Sequence, residues 1–293
     1  MDRIFSTLLT GVAQGAMIAL VALGYTLVYG VLKLINFAHS EIFMMGAYAG
    51  LFAIMAFGAE ANPVLAATMG TLIAMVACSA LGIAVERTAY RPLRGRGKGS
   101  LVRVTPLVTA LGMSVLLQNL AQLVFTAQYR SYPPLFEQSR MRLIIVVTSV
   151  VVMAGLELIV KKTWFGKAMR ALSTNEEAAR LMGVRTSRVI AMTFALGSSL
   201  AALGAVLFCL DQSPAYPTMG LVIGTRAFVA AVLGGIGSIT GAMLGGLLLG
   251  VLGELMKLTD YSGGVDVLVF AVLIVVLLLR PSGLLGQSRI EKV

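Results

Sequence analysis

Along most of this chain the hydrophobic positions neither alternate nor recur with a helical period. They run on for the length of a membrane crossing and stop at short polar segments. A helix needs about 20 predominantly apolar residues to cross the hydrocarbon core of a bilayer. Segments of that order fall at 5–31, 39–57, 64–85, 105–125, 143–160, 189–210, 240–257 and 265–279. A shorter run at 221–235 reads as a tilted, broken or re-entrant helix. The pattern predicts an all-α, polytopic transmembrane helical bundle of about eight or nine spans, with residues 1–293 forming a single transmembrane domain. The first stretch, Phe5 to Val31, is longer than the roughly 7–15-residue core of a cleaved signal peptide, and no short polar cleavage region follows it. It is expected to remain as the first span.

Two interruptions stand out. Between the first two apolar runs lie Lys33, Asn36, His39 and Glu41, only a few residues apart. One reading is a short cytoplasmic turn, with Lys33 snorkelling and Ser40 or Glu41 capping the next helix. The other is a discontinuous helix of the kind at which transporters place substrate contacts. The second interruption, Ser173 to Arg188, is a charged, helix-competent island in an otherwise apolar chain, and it reads as a docking surface.

Composition agrees with the pattern. Of 293 residues, 58% are hydrophobic and 12% charged, with a mean hydropathy of +0.91, which excludes a soluble domain of this length. The formal net charge of +10 does not point to nucleic acid, because the basic residues cluster in loops between spans. One cluster is Arg87, Arg91, Arg94, Arg96, Lys98 and Arg103; the other is Lys161, Lys162, Lys167, Arg170, Arg180, Arg185 and Arg188. Short loops rich in Lys and Arg stay in the cytoplasm, which places both loops and the tail with Arg280, Arg289 and Lys292 inside. Segments 126–142, 211–219 and 258–264 then face out, with an inward turn near Gly234–Ser238. Three full spans before the first basic loop put the start of the chain outside, unless one of the first segments is broken.

Polar residues within the spans are few. Gln118 and Gln122, one turn apart on the fourth span, are expected to face other helices or a wet pathway. With Asn36, His39 and Glu41 they are the candidate pathway residues. Gly237, Gly241 and Gly245 repeat every fourth residue and predict a close-packing stripe on a helix, as do Gly246 and Gly250. Glu157 with Lys161 and Glu254 with Lys257 read as anchoring pairs near the two interfaces. Cys78 and Cys209 lie singly in apolar runs, so no disulfide framework or metal site is expected.

Catalysis finds no support. One histidine and thirteen acidic residues, mostly in loops, assemble no triad, acid–base pair or metal cluster. Gly95–Ser100 lacks phosphate-loop order, since Pro92 stands where the first glycine belongs and Gly99 separates Lys98 from Ser100. Gly235–Gly241 has the wrong spacing for a dinucleotide fingerprint. The expectation is therefore a transporter subunit with no nucleotide site or cofactor of its own, any ATP being bound by another polypeptide.

Glu177-Ala178-Ala179, followed after three residues by Gly183, resembles the EAA loop of ABC importer permeases, whose short coupling helix seats on an ATPase subunit. Ile35-Asn-Phe-Ala-His-Ser-Glu-Ile-Phe-Met-Met-Gly-Ala-Tyr48, Ala227–Ser238 with Gly241-Ala242, and the closing Arg280-Pro-Ser-Gly-Leu-Leu-Gly286 extend the likeness over nearly the whole chain, to branched-chain amino acid permeases of the LivH type. Ser40 stands where that family motif has glycine. The resemblance implies a multi-pass subunit of the bacterial inner membrane, paired with a second, related permease, two cytoplasmic ATPases carrying ATP-Mg and a periplasmic binding protein that delivers Leu, Ile or Val. It also implies that Glu176, Glu177, Ala178, Ala179 and Gly183, within a cytoplasmic loop of about 161–188, couple to the ATPase. Related permeases handle urea and short amides, so that cargo stays open. The competing class is a self-contained secondary transporter, for which Asp266, at the start of the last span, is the nearest ion-coupled carboxylate.

Overall fold

The computed structural model describes residues 2–58, 62–93, 101–212, 214–259 and 262–286. The Gly95–Ser100 segment, the basic residues Arg94, Arg96 and Lys98, and the tail residues Arg289 and Lys292 lie outside that set. The described chain is almost wholly helical. In order it forms α1 (Asp2–Leu32), α2 (Ala38–Ala56), α3 (Pro63–Val85), α4 (Leu101–Phe125), α5 (Gln138–Lys162), α6 (Trp164–Thr174), α7 (Glu176–Leu181), α8 (Thr186–Gln212), α9 (Met219–Gly234), α10 (Ile239–Met256) and α11 (Val265–Leu279). Two short strands, β1 (Arg130–Ser131) and β2 (Pro214–Ala215), pair antiparallel.

Among the described residues, eight helical segments are long and apolar enough to cross a bilayer, the last being α11 extended by the 3-10 turn Ser262–Gly264, and α9, with 16 residues, is a shorter ninth. Burial sorts them into an inner and an outer set. The apolar windows of α1, α2 and α8 are 83%, 78% and 72% buried, whereas that of α11 is 6% buried. Hydrophobic side chains on α3, α4, α5 and α11 therefore point outward, as they must where lipid or another membrane subunit is the solvent.

Small residues let the inner helices approach closely. α1 and α10 run antiparallel, and a Cβ built on Gly246 would stand 2.6 Å from Ala19 Cα, while one on Gly250 would fall within the backbone of Gly15. Gly241 and Gly245 likewise meet the backbone of α9 at Gly234 and Ala230. Gly237 departs from the expected stripe: it precedes α10 in the turn after α9, with φ +97°. A glycine at that position serves the turn, not a helix face, so the stripe begins at Gly241.

The turn between α9 and α10 shares a cleft with Gly30 of α1, Val160 of α5 and Arg170 of α6. The closing segment packs there too, with Leu284 and Leu285 donating N–H bonds of 2.9 and 3.0 Å to the carbonyls of Leu233 and Gly234. This end of the bundle carries Lys161, Lys162, Arg185 and Arg188, which makes it the cytoplasmic end. At the opposite end β1 pairs with β2, and the rings of Tyr129 and Tyr216 lie 4.9 Å apart. Tyr132 reaches inward from this outer cover and donates a 2.5 Å hydrogen bond to Ala47 O, and burial pushes its phenol well above the usual tyrosine range.

Candidate functional site

The break between α1 and α2 lies inside the bundle. α1 ends at Leu32, Lys33 takes φ +56°, and the chain turns back so that α2 starts beside α1 about two turns inside its inner end. The His39 ring stacks edge-on to Tyr25 with centroids 4.7 Å apart, and its Nε2 lies 3.3 Å from Val21 O. It occupies the space left by Gly24. Gly24 is eight positions before Leu32, so α2 begins about 12 Å of helix rise inside the inner end of α1. Five linking residues suffice for that return in extended form.

The start of α9 meets the start of α2. Gly220 lies against Ser40 and Glu41, and Gly224 leaves the slot into which the Ser40 side chain fits. One residue larger in side chain, on α2, is thus matched by one without a side chain on α9. Phe228, one turn further along α9, packs on Tyr25 and Phe37 with centroids 5.9 and 6.0 Å apart.

Around this junction the polar groups are buried and incompletely bonded. Asn36 is 2% exposed; its Oδ1 accepts a 2.8 Å hydrogen bond from Tyr90 Oη, while Nδ2 has no partner among the described residues. Tyr90 ends a π-helical turn, Glu86–Tyr90, that continues α3. Such a turn re-aims a side chain by one position and recurs at functional sites. Glu41 Oε1 lies 3.3 Å from Ser114 Oγ of α4 and 3.4 Å from Ser40 Oγ, and Ser40 Oγ also donates at 2.7 Å to Phe37 O. Glu41 Oε2 has no partner among the described residues. Buried polar atoms are normally bonded. Where discontinuous helices meet inside a membrane, bare ones mark a place for a polar solute.

Of the sequence-predicted pathway residues, Asn36, His39 and Glu41 come together and the two amides do not join them. Gln118 is half-buried and Gln122 exposed, on the outward side of α4. Gln118 lies one turn and Gln122 two turns beyond Ser114, and the helical period of about 3.6 residues carries them progressively off the face on which Ala110, Leu117 and Ala121 are buried. Ser114, Tyr90 and Gly220 carry no charge, and spacing along the chain gave no reason to single them out. Cys78 and Cys209 are free, buried and separate.

The cytoplasmic loop has its own geometry. Asn175 caps α7 by accepting from Ala178 N at 3.0 Å. The helix stops at Gly183, which adopts φ +82°, and is closed by Gly183 N donating to Arg180 O and Val184 N to Ala179 O, at 3.1 and 3.0 Å. This pair of bonds is a Schellman closure, in which the left-handed residue is usually glycine. Glu176, Glu177 and Ala178 are exposed, and Ala179 is buried against the rest of the loop. The tip presents Leu181 and Met182, 83% and 84% exposed. Both side chains are thus bare at the end of a helix that is capped at both of its ends.

Near the outer end, Arg226 of α9 bonds Asp266 of α11 at 2.8 Å, and Lys257 pairs with Glu254. At the inner end Lys161 pairs with Glu157 at 2.5 Å. Asp266 is thus held by an arginine that the sequence left unremarked inside an apolar run.

Residues 7–278 match the family described as branched-chain amino acid transport system, permease component. The chain is 40% identical to the high-affinity branched-chain amino acid transport system permease protein BraD of Pseudomonas aeruginosa, over 98% of this chain and 97% of that protein. It is 39% identical to the corresponding protein LivH of Escherichia coli, over 97% and 96%. The ribose import permease RbsC of Haemophilus influenzae matches 42% of the chain at 30% identity.

Proposed function

The chain belongs to the family of permease components of branched-chain amino acid transport systems, and we propose that it carries aliphatic amino acids inward across the bacterial inner membrane as one half of an ATP-driven pore. It is a multi-pass membrane permease subunit. The finer assembly we propose is the one the family likeness implies: a second, related permease completes the pore, two cytoplasmic ATPases supply ATP-Mg, and a periplasmic binding protein delivers Leu, Ile or Val.

The observation that carries this reading is α7. A capped helix with exposed Leu181 and Met182 projects from the basic, cytoplasmic end of a bundle that is otherwise apolar. Glu176, Glu177, Ala178, Ala179 and Gly183 give it shape and charge, and the two apolar tips give it something to bury in a groove on an ATPase. Closure of the ATPases on ATP then moves α7, and the permease pair opens first to one side and then to the other. ATP is needed because a solute with equal affinity for both states cannot bias them. Within the pore, the junction of α2 and α9 supplies the polar contacts, with Asn36, His39 and Glu41 lining it.

The test is purification in mild detergent followed by reconstitution into liposomes. Expected are co-purification of two ATPases and a second permease, and uptake of L-leucine that requires ATP and the binding protein. Leucine uptake by this chain alone, driven by an ion gradient, would overturn the proposal.

A further inference from the structure

Glu41 is 1% exposed, with one carboxylate oxygen facing hydroxyls and the other bare. Its polar contacts among the described residues are serines, and none is a cation. The bare Oε2 points at the first turn of α9: a Cβ built on Gly220 would stand 2.9 Å from it and 2.5 Å from Ser40 O. Because Gly220 has no side chain, the backbone of α9 packs closely over that oxygen without supplying it a hydrogen-bond partner among the described residues. A buried carboxylate with neither counter-charge nor a full set of donors is costly, and in a membrane protein such a residue is completed by a partner.

What completes it must bring positive charge and N–H donors and be small enough to reach Oε2 when α2 and α9 part during the transport cycle. We infer that Glu41 is the subsite for the α-ammonium group of the transported amino acid, which donates to Oε2 while the Ser114 hydroxyl borders the same spot from α4. The inference rests on the proposed function and deepens it. Urea and short amides are neutral and leave the carboxylate without a counter-charge, so the site selects a zwitterion. The aliphatic side chain is then free to face the apolar surfaces of Tyr25 and Phe228, which border the junction on its inner side.

The experiment uses the complete reconstituted transporter, with uptake of radiolabelled L-leucine and ATP hydrolysis stimulated by the liganded binding protein measured together. Glu41→Gln keeps shape and hydrogen-bonding capacity and removes the charge. Uptake is expected to fall at least about tenfold, as for loss of one partner of a buried charge pair, with ATP hydrolysis retained and uptake partly restored in Glu41→Asp. Unchanged uptake in Glu41→Gln overturns the inference. So does a parallel loss of uptake and hydrolysis that Glu41→Asp does not relieve, since that is the signature of packing. If Glu41→Gln fails to assemble, Ser114→Ala carries the test, with reduced uptake and intact hydrolysis expected and unchanged uptake overturning it. A wild-type complex that assembles and moves no leucine defeats the proposed function itself, whereas wild-type uptake beside an unimpaired Glu41 variant defeats only the ammonium subsite.

Discussion

The hydroxyl of Tyr90 donates a 2.8 Å hydrogen bond to Oδ1 of Asn36, tying the π-helical end of α3 to the break between α1 and α2. The two residues are 54 positions apart, and both are at most 2% exposed. Tyr90→Phe removes the donor and leaves both polar atoms of the Asn36 amide without a partner. Leaving a buried acceptor unsatisfied costs about 1–3 kcal/mol. The purified complex is expected to melt several degrees lower and leucine uptake to fall, while the ATPases still co-purify. An unchanged melting temperature would show that the break is held by packing alone.

Backbone contact between α1 and α10 gives a second prediction. A Cβ on Gly250 has no space beside Gly15 and Gly11, whereas one on Gly112 of α4 meets nothing within 4 Å. Gly250→Ala should force the helices apart at a cost of about 1–3 kcal/mol, lowering the yield of folded protein. Gly112→Ala, on an exposed face, should leave it unchanged. Equal thermal stability of the two variants in detergent would refute the close approach.

Much of this architecture could be read from the chain because a membrane span is written in its length and polarity. Among the described residues the eight long apolar runs became eight helical segments long enough to cross a bilayer, and the basic loops marked one end of the bundle. The interior order of the helices could not be read the same way. Phe52 on α2 and Val76 on α3 are as apolar as Phe43 and Ile42, yet the first two are exposed and the others buried. Hydrocarbon outside the bundle and side chains inside it make the same demand on a residue, so polarity does not tell lipid-facing from core-facing positions. Glycine was the better guide, but its spacing misled at Gly237, where a positive φ and not a neighbouring helix accounts for the residue. The polar junction was half legible: Asn36, His39 and Glu41 advertised themselves, while Ser114, Tyr90 and Gly220 gain meaning only from long-range packing.

The tip of α7 makes a third prediction. Leu181 and Met182 contribute nothing to the core of this chain, being 83% and 84% exposed. Replacing both with Ser should leave folding and membrane insertion intact. Each buried apolar side chain of this size contributes about 1.5–3 kcal/mol at an interface, so co-purification of the ATPases should weaken sharply and uptake should fall with it. Full retention of both would remove these residues from the docking surface. Gly183→Val, by contrast, strains φ +82° and is expected to loosen α7 itself.

The fourth prediction concerns Arg226 and Asp266. Arg226 Nε and Nη2 both lie 2.8 Å from Oδ1 of Asp266, and the pair joins α9 to α11 near the outer end. The arginine side chain is 24% exposed and the aspartate 62%, so solvent screens the pair from one side and the coupling should be modest, about 0.2–1 kcal/mol. The single variants should nevertheless differ. Asp266→Asn leaves a neutral acceptor beside the arginine and should change thermal stability little. Arg226→Ala also removes the aliphatic stem from a cleft lined by Ile18, Leu249 and Val269, adding a packing loss to the electrostatic one. A double-mutant cycle read by thermal denaturation of the assembled complex separates the two contributions. If Asp266 instead carried a coupling ion, Asp266→Asn would abolish leucine uptake with the ATPases fully active. Retention of most of the uptake is expected, because the aspartate is already engaged by Arg226 and uptake is driven from the cytoplasmic side.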